Sequence, residues 1–127
     1  PRDVQNGTVE VARRDNGEKE TVEQTGLVAH IQETLEAVQN GLFERALKMR
    51  EDMTTSVDSY DDFKSVLDEK GGFIRMHWDG SDETELQIKN ETKATIRCIP
   101  IEGYEEEGVD PVSGKPSKGR VYFARSY

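Results

Sequence analysis

Cysteine is nearly missing: Cys98 is the single one in 127 residues. One thiol cannot form an internal disulfide, and it fits a reducing cytosol. Its place inside an apolar stretch predicts a buried, inert group. No apolar run approaches the roughly 20 residues that a membrane-spanning helix needs, and no signal-peptide pattern opens the chain. The P-loop, the G-x-G-x-x-G turn, H-E-x-x-H and the nucleophile elbow are all absent, so nothing announces a nucleotide cradle, a metalloprotease or a serine hydrolase. The only two histidines, His30 and His77, lie far apart with no triad partners evident. Apolar residues make up 33% of the chain and charged ones 34%. That is a polar composition, but the apolar positions are patterned, which argues for a fold rather than disorder.

The net charge is −9, which argues against wholesale nucleic-acid binding because phosphate contacts need local positive charge, although a small basic surface or a few specific contacts can still bind RNA. The acidity is uneven. Residues 115–127 hold Lys115, Lys118, Arg120 and Arg125 and no acid, just after Glu105-Glu106-Glu107. These charges form either a small basic surface or ordinary solvated faces.

The length allows one domain or two small ones. Thr8–Arg14 alternates weakly, Asp15-Asn16-Gly17 is a turn signal, and Lys19–Val22 can run back, so a hairpin is expected. Leu27, Ile31, Leu35, Val38, Leu42, Ala46 and Met49 share one helical stripe, with Thr25 as candidate N-cap and a bend or close packing expected at Gly41. Thr54–Val57 reads as a linker or helix end. Asp58 or Ser59 caps a short helix to about Glu69, which Gly71-Gly72 ends. Phe73–Trp78 reads as a strand, Ser81 caps a helix to about Thr92, and Thr95–Ile101 and Val121–Ala124 read as the last strands. The fold class is α+β. The boundary falls near residue 57, and the second part needs a core from Phe63, Leu67, Phe73, Ile74, Trp78, Ile96, Ile99, Val121 and Phe123.

Two polar turns stand out. One is Trp78-Asp79-Gly80-Ser81-Asp82-Glu83-Thr84. The other is Asp110-Pro111-Val112-Ser113-Gly114-Lys115-Pro116. Cysteines at Asp79, Thr84, Asp110 and Ser113 would make a zinc knuckle, yet none of the four is cysteine. A calcium site at Asp79, Asp82, Glu83 and Glu85 is poorly served by their spacing, and an acidic helix N-terminus explains them at lower cost. The two turns are therefore expected to hold their shape by side-chain hydrogen bonds, without metal.

With the tail behind them, these turns resemble the C-terminal part of prolyl-tRNA synthetase of the archaeal and eukaryotic type. The matching segments are Lys93-Ala94-Thr95-Ile96-Arg97-Cys98-Ile99-Pro100, Gly114-Lys115-Pro116-Ser117 and Tyr122-Phe123-Ala124-Arg125-Ser126-Tyr127. Upstream, Arg50-Glu51-Asp52, Val57-Asp58-Ser59-Tyr60-Asp61-Asp62-Phe63-Lys64, Pro1-Arg2-Asp3 and Val11-Ala12-Arg13-Arg14-Asp15 match as well. The resemblance implies that residues 1–57 are the last strands and helix of an α/β anticodon-binding domain, and 58–127 the family's C-terminal α+β domain in zinc-free form. It implies a non-catalytic piece of a homodimeric, cytoplasmic class II enzyme that attaches proline to tRNA(Pro) with ATP and magnesium. Catalytic residues and cofactors are expected to be absent from this piece, with tRNA(Pro) and the parent's catalytic domain as partners and no membrane or DNA. Arg2, in the Pro1-Arg2-Asp3 turn, and Lys19 match positions that meet the anticodon guanines, whose O6 and N7 are acceptors that arginine and lysine read. Pairing with Asp3, Glu18 or Glu20 is the competing role for these cations. Tyr127 matches the terminal tyrosine whose carboxylate faces the catalytic domain, against the alternative of a frayed end. The competing class is a stand-alone acidic interaction module with no RNA role.

Overall fold

The structure is a computed structural model that describes residues 2–126, with side chains described from residue 4 onward. It divides into two compact units, Pro1–Lys48 and Met49–Tyr127, each taken by itself below.

In the first unit a short helix α1 (Arg2–Asn6) precedes the strands β1 (Thr8–Ala12) and β2 (Lys19–Glu23). The backbone at Arg2 is thus helical rather than the expected turn. The strands pair antiparallel, with Val9 opposite Val22 and Ala12 opposite Lys19. The turn between them closes as read: Gly17 takes a positive φ of 80°, and the Arg13 carbonyl accepts from its N–H at 3.0 Å. Helix α2 (Leu27–Asp52) starts two residues after Thr25, with Gly26 in front and its carbonyl accepting from the His30 N–H. Its apolar stripe is periodic but buries no residue. Leu35, Leu42 and Phe43 are exposed. A Cβ at Gly41 would meet open space, so the expected close packing is not present there.

The second unit is a four-stranded sheet covered on one face by two helices. Its elements are β3 (Thr54–Ser56), α3 (Tyr60–Glu69), β4 (Phe73–His77), α4 (Asp82–Thr92), β5 (Ala94–Cys98), β6 (Gly108–Val109), β7 (Pro116–Ser117) and β8 (Arg120–Arg125). The sheet order is β3-β4-β8-β5, and β6 pairs with β7 separately. The α+β class holds. Ser59 caps α3, its hydroxyl accepting from the Asp62 N–H, and Ser81 caps α4 in the same way toward Thr84. The Gly71 N–H returns to the Val66 carbonyl at 2.8 Å, the tight helix end that a glycine with positive φ permits.

The segment read as a linker is strand β3. Its three polar residues carry no apolar alternation, and it joins the sheet through its backbone, parallel to β4. The core is Val57, Phe63, Leu67, Ile74, Met76, Ile88, Ala94, Val121 and Phe123. Trp78 and Ile96 pack against it only in part. Phe73 and Ile99 are exposed, contrary to expectation. Phe73 and Ile74 are neighbours on one strand and cannot both face inward, because side chains alternate. Cys98 is also exposed rather than buried. A bulge between Ile96 and Cys98 shifts the edge strand, so that Cys98 lies opposite Tyr122.

Candidate functional site

The two polar turns meet. Asp110 is fully buried. Its Oδ1 accepts from the N–H groups of Val112 at 2.7 Å and Ser113 at 3.2 Å, and its Oδ2 accepts from the Asp79 N–H at 2.9 Å. Asp79 answers in its own turn. Its Oδ1 accepts from the Ser81 N–H and hydroxyl at 2.9 and 2.7 Å, and its Oδ2 from the Thr84 hydroxyl at 3.2 Å. Asp79, Thr84, Asp110 and Ser113, the four positions singled out in the sequence, thus converge in one knot, with the Lys115 ammonium 3.8 Å from Asp79. The Asp79 side chain is only 2% exposed. Burial alone would push its carboxyl up, but donation by Ser81, Ser113 and Thr84 outweighs burial and holds it at about 2. Every oxygen of the two carboxylates accepts a hydrogen bond, and the remaining donors are neutral hydroxyls. Such a set does not suit zinc, which prefers thiolate and imidazole.

Sequence reading missed a neighbouring cluster. His77 is buried, its Nδ1 is 3.2 Å from the Ser117 hydroxyl, and its ring lies where a Cβ on Gly108 would stand. Arg120 joins Asp58, Glu106 and the Val57 carbonyl. The Ser117 hydroxyl donates to the Gly119 carbonyl and accepts from the Trp78 and Gly119 N–H groups. It is a structural staple with no free nucleophile. No local pattern announced it, because its members are scattered over 63 positions.

In the first unit, Lys19 opens β2 and is exposed. Its two acidic neighbours are engaged elsewhere: Glu18 accepts from Asn16, and Glu20 meets His30 at 2.9 Å. Lys19 forms no ion pair among the described residues. It lines a shallow hollow of about 450 Å³ with Arg13, Glu18, His30 and Glu33. The side chain of Arg2 and all of Tyr127 lie outside the described residues. Among the described residues no group of three or more histidine, cysteine or acidic side chains could hold a metal ion, and no helix is long and apolar enough to cross a membrane.

Comparison with known proteins accounts for the whole length. The chain is 53% identical over 126 residues to the proline–tRNA ligase of Cytophaga hutchinsonii, covering 99% of this chain and 26% of that one. It is 50% identical over 127 residues to that of Flavobacterium johnsoniae, covering 100% of this chain and 26% of that one. With the Bacteroides fragilis protein the figure is 52% over 130 positions, again 99% and 26%. The chain therefore spans about a quarter of the length of these bacterial relatives. The family described as "Prolyl-tRNA synthetase, C-terminal" matches residues 60–127. On that match and these identities, the chain belongs to the prolyl-tRNA synthetase C-terminal family.

Proposed function

We propose that this chain serves a proline–tRNA ligase as a portion without catalytic residues, recognising the anticodon of tRNA(Pro) and supporting the catalytic domain. The carrying observation is the identity of about half over essentially its whole length with proline–tRNA ligases. The whole enzyme attaches proline to tRNA(Pro) using ATP and magnesium, in the cytoplasm, as a homodimer. Residues 1–57 are the end of its anticodon-binding domain and 58–127 its C-terminal domain. The matches from Arg50-Glu51-Asp52 through Lys93–Pro100 to Gly114-Lys115-Pro116-Ser117 support the archaeal and eukaryotic type of architecture, from which the missing zinc cysteines are a departure.

Lys19 and Arg2 are the guanine readers in this proposal. An unpaired ammonium among Glu18, Glu20 and Glu33 suits a base edge better than a phosphate. The acids repel an anion, whereas the neutral O6 and N7 of guanine accept directly. Anticodon bases are unstacked and open to such contact. Tyr127 turns its carboxylate toward the catalytic domain.

In the full-length enzyme, Lys19→Met raises the KM for tRNA about tenfold, the cost of one base contact. Proline-dependent ATP–pyrophosphate exchange, which needs no tRNA, stays unchanged. Equal KM values for the two proteins would remove Lys19 from the site. Deleting Tyr127 lowers aminoacylation, and unchanged rates would leave the tail a free end.

A further inference from the structure

The sheet of the second unit has one face under α3 and α4 and one turned away from them. Ile74, Met76, Val121 and Phe123 point under the helices into the core. By the alternation of strands, Phe73, Arg75 and Tyr122 point the other way, and Cys98 lies opposite Tyr122 after the bulge. Phe73 and Tyr122 meet edge to face, centroids 6.4 Å apart. The Arg75 guanidinium sits 5.5 Å from the Tyr122 ring. Beside them lies a hollow of about 310 Å³ lined by Arg50, Phe73, Cys98 and Tyr122. A second hollow, about 450 Å³, runs from Phe73 past Gly72 to Arg97 and Ser126.

The arginines of the second unit differ in how they are paired. Arg120 and Arg125 each hold a carboxylate. Arg75 and Arg97 hold none among the described residues. The Arg75 Nε is the one buried side-chain nitrogen or oxygen there with no hydrogen-bond partner. Arg97 donates only to the Ala124 carbonyl and the Ser126 hydroxyl. In a chain of net charge −9, guanidinium groups without a carboxylate beside the exposed Phe73 ring and the half-buried Tyr122 ring mark a place where an external anion with planar groups would be complementary.

We propose that this face binds unpaired nucleotides of a single-stranded RNA. Phe73 and Tyr122 stack bases, and Arg50, Arg75 and Arg97 take phosphate oxygens. Stacking on aromatic residues with flanking cations is how single strands are held without reading sequence. A duplex offers no free base faces and does not fit. The site stands apart from the Lys19 reading, because a probe without guanine engages only this face.

The test is isothermal titration calorimetry of the full chain with an eight-residue oligouridylate at low salt. Saturable binding is expected, with a log–log salt slope of about −2, the value for three phosphates on a single strand. Tyr122→Leu weakens binding about tenfold. Arg97→Gln, at an exposed position, reduces the slope by about 0.7. No binding, equal binding of an RNA duplex, or unchanged binding in both variants overturns the proposal. It is also overturned if the wild type takes no RNA but self-associates in sedimentation through Tyr122 and Arg97, which would make the face a protein interface.

Discussion

Asp110 shows how much one buried carboxylate can organise. Three backbone N–H groups depend on it, and no other acceptor stands in its place. Asp110→Ala leaves them unpaired and lowers stability by roughly 3 kcal/mol, read as a shift in urea midpoint. Asp79 adds a pH dependence. Its carboxyl is held at about 2 against an ordinary 3.8, so the native state favours the charged form. That contribution, about 2 kcal/mol, is complete above pH 4 and disappears as the pH falls through 4 toward 2. Thermal unfolding of the wild type between pH 6 and 2 shows this decline, and Asp79→Asn flattens it. Lys93 is the one described residue other than glycine with a positive φ, at 65°. Since only glycine adopts this conformation freely, Lys93→Gly at the end of α4 stabilises by about 1 kcal/mol, measured by the same titration with urea.

At the scale of elements, legibility followed side-chain chemistry. Helices α3 and α4 were readable because Ser59 and Ser81 supply caps and Gly71-Gly72 a stop. The hairpin was readable because Asp15-Asn16-Gly17 marks its turn. Strand β3 and the β6–β7 pair were not, since three polar residues or two residues hold no measurable period and their partners lie far along the chain. Facing was misread where backbone geometry decides it, as at Phe73 and at the Cys98 bulge. The four positions of the knot were legible as a set, although the direct Asp79–Asp110 link was not. Ordinary capping also leaves Arg125 hidden. Its guanidinium donates to the Thr92 carbonyl at the end of α4 at 2.7 Å and pairs with Asp68 near the end of α3. One cation thus serves two helix C-termini. Arg125→Met lowers stability by about 1–2 kcal/mol, a loss visible in the urea midpoint.

For the molecule as a whole, composition and charge excluded more than they identified. A net charge of −9 gave no hint that the arginines of the second unit divide into paired and unpaired sets. The two-stranded hairpin leaves its outer backbone groups without ladder partners among the described residues, a recognised route to strand addition. Sedimentation is expected to show concentration-dependent association of the chain, and a clean monomer at high concentration would contradict it. The polar knot predicts that elemental analysis of the purified chain finds no stoichiometric zinc, and one zinc per chain would defeat that reading.

Trp78 is the only tryptophan in the chain, and its indole N–H donates to the Ser81 carbonyl at 3.1 Å, directly beside Asp79. Light absorbed selectively by indole therefore reports on one spot. Its emission colour and quenching follow the opening of the two joined turns, with no dye attached and no background from a second indole.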